Sequence, residues 1–339
     1  MRALWIDGPG RVRLGEAAEP EPGPGELLLR VRTVGFCGSD LNTFRGLNPL
    51  VSYPRIPGHE IAATVERVGA GVPEPFREGL DVTVVPYTAC GRCAACRRGR
   101  VNACRDNRTL GVQRDGALRD WIVVPWEKVV SAERLSLREL ALVEPLSVGA
   151  RAIDRARAGA GEVVAVLGCG AVGLGAVAAA AARGAVVVAV DVDDRKLEIA
   201  RKAGAAHVIN SAAASLTEQL RALTGGDGPA VVVEAVGLPE TFVAAVTEVA
   251  FAGRVVYIGY AGAPVTYDTA QFVKKELDIL GSRNATLEDF RAVIRMLERG
   301  NFPVNDTVTR VVPFEEAGEA LRAWAADPRA VTRIHVELA

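Results

Sequence analysis

The stretch GEVVAVLGCGAVGLGAVAAAAARGAVVVAVDVDDRKLEIARKAGAAHVIN, residues 161–210, leaves little freedom about its fold. A short apolar run meets a glycine-rich turn. An Ala-rich segment, a second apolar run, a charged segment and a third run follow. Apolar runs without alternation belong to strands buried on both faces, as in a parallel sheet. Helical segments between them predict βαβ units, and VVVEAVG and GRVVYIGY continue the pattern. Within the turn, Gly168, Gly170 and Gly173 form G-x-G-x-x-G, with Ala171 and Val172 opening the helix. Such glycines let backbone approach a pyrophosphate, which the unpaired N–H groups of a helix N-terminus attract. Asp191 lies 18 residues after Gly173 and ends the next apolar run. A carboxylate there suits ribose hydroxyls and repels a 2′-phosphate, so NAD is expected over NADP. Arg195 could pair with a phosphate, but Asp193 and Asp194 precede it and keep the local field acidic. Val236, Gly237, Ile258 and Gly259, at the ends of later runs, are expected to face the same cofactor. The plainer reading is a turn built only for helix–strand packing. Cys169, between two of the glycines, reads as a small residue that fits.

Residues 1–145 have another texture. Short apolar runs (ELLLRVRTVGF, IAATVERVGAGV, DVTVVPY, WIVVPWEKVV) alternate with Gly, Pro and Asp turns, which predicts a β-rich domain. Residues 146–275 form the dinucleotide-binding segment. Residues 276–339 carry a short strand, two helical patterns and a last strand. The 339 residues suffice for two domains. A net charge of −1 gives no reason to expect a nucleic-acid partner. The N-terminus lacks the apolar core of a signal peptide, and no run is long and apolar enough to span a bilayer. A cytoplasmic enzyme is expected, with no membrane association.

Four of the six cysteines fall in CGRCAACRRGRVNAC, as Cys90, Cys93, Cys96 and Cys104. A reducing compartment disfavours disulfides, and this spacing can set four thiolates around one tetrahedral zinc at about 2.3 Å. Four sulfurs leave no open position, so such a site rivets a loop and does no chemistry. The arginines around it could make a basic patch for nucleic acid, but they can equally offset the charge of four thiolates. Two other short stretches carry a second donor set. GFCGSD places Cys37 in a turn after a strand, and IPGHE places His59 and Glu60 after another. Cysteine, histidine and glutamate are zinc ligands, and three of them leave one position open. The other histidines, His207 and His335, have no such company and read as structural.

GFCGSD, YPRIPGHE, the four-cysteine stretch, LVEPLSVG, GCGAVGLG with Asp191, and GSRNAT occur in the order found in the zinc-dependent medium-chain dehydrogenases. The chain resembles that family over nearly its whole length. The resemblance implies a GroES-like catalytic domain interrupted by a Rossmann domain, with the active cleft between them. It implies two zinc ions per chain, one catalytic at Cys37, His59 and Glu60, and one structural at the cysteine quartet. The Glu after His and EPLSVG look like the sorbitol and threonine dehydrogenase branch. NPLVSYPR and KKELDILGSRNAT look closer to sugar-acid dehydrogenases of the L-galactonate 5-dehydrogenase kind. Oxidation of a secondary hydroxyl of a polyol, sugar or sugar acid by NAD is therefore expected, with simple alcohols or threonine as the alternative. A homo-oligomer, tetramer or dimer, is implied as well.

The resemblance also places Glu144 at the metal. Zinc with the Cys37 thiolate and the Glu60 carboxylate is already neutral, so Glu144 is expected as an occasional ligand or as a group bonded to water and substrate. The plainer reading of Glu144 is a helix N-terminal charge beside Pro145. Ser39 resembles a relay hydroxyl, and Asn42 stands where many relatives carry a histidine, so the end of the relay must differ. Asp40 is expected to orient a ligand or to cap a turn. Arg283, whose planar fork suits a carboxylate or vicinal hydroxyls, is expected to recognise substrate with Asn284 and Tyr53.

Overall fold

The computed structural model describes residues 1–338. They fall into two compact units. The first comprises residues 1–144, 286–298 and 307 onward, and the second residues 145–285 and 299–306.

The first unit opens with a hairpin, β1 (Arg2–Gly8) and β2 (Arg11–Glu16). Its main sheet takes β3 (Glu26–Phe36), β4 (Glu60–Val68), β5 (Asp81–Val84), β6 (Trp121–Pro125) and β7 (Val129–Ser131). The 11-residue β3 is the hub, pairing antiparallel with both β4 and β6. Consecutive Leu27, Leu28 and Leu29 are all buried, so both faces of the strand are covered there, while Arg30 and Arg32 are half-buried. Leu27, Leu29, Val34 and Phe36 are fully buried among Ile61, Val65, Ile122 and Val124. Burying each such leucine contributes about 2 kcal/mol.

The second unit holds β8 (Val163–Leu167), β9 (Val186–Asp191), β10 (His207–Asn210), β11 (Val231–Glu234), β12 (Arg254–Tyr257) and β13 (Asp278–Gly281). All pair in parallel, in the spatial order β10-β9-β8-β11-β12-β13. The chain winds outward from β8 to β10, then crosses back and winds the other way from β11. The reversal between β8 and β11 is the point at which open α/β sheets bind ligands. The second unit runs past the sequence boundary at 275 as far as Ala285, because the short DILG strand pairs with β12. Its modest apolar character concealed that membership.

The chain returns to the first sheet with β14 (Arg310–Pro313) and β15 (Ile334–Glu337), and β15 pairs antiparallel with β3. Among the described residues, no helix is long and apolar enough to cross a membrane.

Candidate active site

Cys37 follows the last residue of β3 and caps the helix Gly38–Arg45. Glu60 is the first residue of β4, and Gly35 of β3 stands opposite it. The end of one strand therefore meets the start of the other, and Cys37 comes beside His59 and Glu60. Their potential ligand atoms all lie within 4.8 Å of one another. Gly35 makes this possible: a Cβ there would sit 2.2 Å from Glu60 Oε2. Asp40 joins the two loops, accepting from Cys37 N at 2.9 Å and from Gly58 N at 3.2 Å. Its Oδ2 also lies 4.0 Å from His59 Nδ1. It thus caps the helix, the plainer of the two roles expected from sequence, and faces the imidazole without a hydrogen bond to it.

The cluster is buried, and its electrostatics are those of a cation site. Arg333, just before β15, donates from Nη1 to Glu60 Oε1 and to Phe36 O, each at 2.7 Å. Glu60 Oε2 and His59 Nδ1 are buried without a hydrogen-bond partner. Burial raises the Cys37 thiol, but the hydrogen bond and charge of His59, with Arg333, outweigh it and bring it down to about 7. Burial pushes the Glu60 carboxyl well above the usual carboxylate range against the pull of Arg333. Such a pocket holds protons because its acceptors are crowded and dry, and a divalent cation can take their place. One thiol, one imidazole and one carboxylate, two of them with orphaned atoms, fit a zinc ion.

Glu144 is buried as well, inside the helix Leu137–Ala156 rather than at its N-terminus. It lies outside the group of three ligands, and the buried Tyr87 hydroxyl donates to its Oε1. Burial raises its carboxyl, partly offset by the charge of His59 and by the Tyr87 hydrogen bond. Ser39 Oγ is buried without a partner, while Asn42 is exposed.

The cysteine quartet is a second, separate cluster. Its four sulfurs lie within 4.8 Å of one another and none forms a disulfide. Cys90 N donates to Cys104 Sγ at 3.2 Å, and Cys93 N to Cys90 Sγ at 3.3 Å. Backbone hydrogen bonds from Arg105 and Cys96 lower the Cys93 thiol to about 6. The set suits a closed four-thiolate site.

In the second unit, Gly170 caps the helix Ala171–Ala182, whose first turn holds Ala171, Val172 and Gly173. A Cβ on Gly173 would lie 1.8 Å from Gly168 O, so helix and strand approach backbone to backbone. At the end of β9, Asp191 accepts from Cys169 N at 2.7 Å and from Val192 N at 2.8 Å. Arg195 pairs with Asp193 at 2.8 Å. Val236 and Gly237 follow β11 and Ile258 and Gly259 follow β12; Val236 packs on Gly168, and Gly259 on Gly237.

Residues 23–134 match the alcohol dehydrogenase GroES-like domain, and residues 171–299 match the zinc-binding dehydrogenase family. L-galactonate-5-dehydrogenase of Escherichia coli K12 is 35% identical over 319 residues, 94% of each chain. The chain belongs to the zinc-binding alcohol dehydrogenases. Two solved structures share the fold. An alcohol dehydrogenase of Escherichia coli CFT073 complexed with NADH has a TM-score of 0.91 at 29% identity, covering 99% of each chain. A protein of Sinorhizobium meliloti 1021 described as a zinc-binding dehydrogenase, bound to NADP, has a TM-score of 0.90 at 28% identity, covering 99% of this chain and 98% of that one.

In this zinc-binding dehydrogenase, three residues that matter escaped the sequence reading. Arg333 lies 273 positions from Glu60 and Tyr87 lies 57 from Glu144, so no local motif announces either. The third is Glu234, fully buried, whose Oε1 accepts from Val236 N at 2.8 Å and Gly237 N at 2.7 Å. A lone acid closing the apolar run VVVE was its one signal. Of the expected substrate residues, Tyr53 donates its hydroxyl to Thr43 O at 2.5 Å, bracing the helix after Cys37. Arg283 and Asn284 are half-buried in the second unit, Asn284 with a left-handed φ of 52°. Cys169 is buried and burial pushes its thiol far up, so it packs rather than reacts. His207 is exposed on β10, and His335 is buried on β15.

Proposed function

We propose that this dehydrogenase oxidises a secondary hydroxyl of a polyol, sugar or sugar acid, with L-galactonate-like acids as the first class to test, and that NAD accepts the hydride. The observation that carries the reading is the three-donor cluster of half-buried Cys37 with buried His59 and Glu60. These residues would hold the catalytic zinc, and the cysteine quartet the structural one. A zinc ion with an open position supplies Lewis acidity toward a hydroxyl.

The chain's own groups do the rest. Arg333 fixes Glu60 through Oε1 and leaves Oε2 for the metal. Asp40 holds the Cys37 turn and the His59 loop in one frame. Ser39 Oγ, buried without a protein partner, is assigned to relay the hydroxyl proton, accepting it while passing its own to water. The charge count that makes Glu144 superfluous omits Arg333. Zinc and Arg333 bring three positive charges, set against Cys37, Glu60 and Glu144, each close enough to Arg333 to act on it, and against the buried Asp40 beside His59. Arg333 therefore offsets one of the carboxylates and lessens the charge cost of an ionised Glu144.

For the cofactor, Asp191 offers its carboxylate beside the Gly168–Gly173 turn, and the Arg195 guanidinium is held by Asp193. Both favour an unphosphorylated ribose. Arg283 and Asn284, with Tyr53, are assigned to substrate. Support for the sugar-acid class comes from the L-galactonate-5-dehydrogenase relative and from the donor fork of Arg283. The protein is assigned to the cytoplasm as a homo-oligomer.

The test is NAD and NADP reduction by purified protein against polyols, aldonates, simple alcohols and threonine. Highest kcat/KM on an aldonate or polyol with NAD is expected. A preference for simple alcohols, or for NADP, would overturn that part.

A further inference from the structure

Where Glu144 rests is a question that charge alone does not answer. With Arg333 and His59 countering the charge of Asp40 on Glu144, charge alone does not keep Glu144 from joining Cys37, His59 and Glu60 around a metal, and a fourth ligand would close the open position. Yet Glu144 stands outside the group of three. The structure shows one specific restraint. Tyr87, itself 5% exposed, donates its hydroxyl to Glu144 Oε1. Tyr87 is rigidly set: the next residue, Thr88, accepts from Arg108 N at 2.7 Å, and Leu110 N donates to Pro86 O at 3.0 Å on the other side. Glu144 is equally fixed, within a helix and just before Pro145.

We infer that Tyr87 is a positioning residue that tethers Glu144 and so keeps one coordination position of the metal open for substrate. A charge-assisted hydrogen bond in a dry site is strong enough to decide between two placements of one carboxylate. Removing only the hydroxyl frees Glu144 to bind the metal and block that position.

The inference rests on the metal reading above, and cobalt separates the two. Full-length protein is loaded with Co(II) at the Cys37 site, and its visible absorption and metal affinity are read alongside KM and kcat. For Tyr87→Phe, which keeps the ring and removes the donor, the bands should shift without substrate and metal affinity should rise about tenfold. KM for substrate should rise more than kcat falls. Glu144→Gln cannot supply the carboxylate, so it should keep wild-type bands, and Tyr87→Phe added to it should change nothing. Wild-type bands and affinity in Tyr87→Phe would overturn the tether. A band shift in Glu144→Gln alone would also overturn it, by showing Glu144 already bound. Failure of the protein to take up cobalt at Cys37 at all would instead overturn the metal reading.

Discussion

The two cysteine-containing clusters use the same element of chemistry to opposite ends. The quartet draws four identical donors from 15 consecutive residues and relies on backbone N–H groups for support. The Cys37 cluster draws three different donors from two strand ends. It is surrounded by an arginine, an aspartate, a tyrosine-bound glutamate and an unpartnered serine hydroxyl. A site that only staples needs ligands and a turn. A site that must leave a position free needs neighbours that fix each ligand and balance its charge.

The sharpest way to break this comparison is to remove one sulfur from each cluster. Cys37→Ala should cut turnover by about 10³-fold or more while the fold and the second zinc equivalent remain. NAD reduction with metal analysis of the same sample checks both. Retained turnover would move the chemistry elsewhere.

Next in size is Arg333→Leu. It strands a buried carboxylate beside the ligands, and such partners are worth about 10–100-fold in metal affinity or activity. Competition with a chelator should show the loss at the Cys37 site only, with the quartet unaffected. Equal loss at both sites would mean that Arg333 supports the fold rather than Glu60.

Cys93→Ala should behave in the reverse sense. One zinc equivalent goes and stability falls by about 3 kcal/mol, while kcat/KM of the protein that remains folded changes little. Urea unfolding and zinc analysis read the two effects. A fall in kcat/KM as large as that of Cys37→Ala would erase the distinction between staple and active site.

The same contrast governs what the sequence could reveal. The quartet and the Gly168–Gly173 turn are local, so spacing alone exposes them, as do the apolar runs of β8, β9 and β11. Cys37, His59 and Glu60 are close in sequence to strand ends, and their chemistry is legible once those strands are paired. Arg333 and Tyr87 are not legible, because their partners lie on other strands and helices far along the chain. The boundary after the second unit was misplaced for a related reason. DILG becomes a sheet member through its pairing with β12, and its own residues are half exposed.

The smallest expected effect concerns His335, two residues from Arg333 on β15 and opposite Gly35 of β3. It is fully buried and neither ring nitrogen has a partner. Burial lowers its pKa from 6.5 to about 3, helped by the charges of Arg333 and Arg138. The folded pKa is depressed, so the unfolded chain takes up a proton first as pH falls through 6.5, and the folded chain does not follow until about 3. Stability is therefore complete above pH 6.5 and declines below it, by about 2 kcal/mol at pH 5 for this one group. His335→Leu removes both the titration and the unpaired nitrogens. It should leave turnover unchanged at neutral pH and should lose less stability than the parent between pH 8 and pH 5, as urea unfolding at the two values would show. Arg333 and His335 then separate cleanly: one, just before β15, serves the ligands of the Cys37 cluster, and the other, on β15, only the packing around it. Identical pH slopes for His335→Leu and the parent would mean that the ring titrates in the folded protein as in the unfolded chain and is protonated by pH 5. The positive charge beside Arg333 would then have to enter the balance drawn for the metal site.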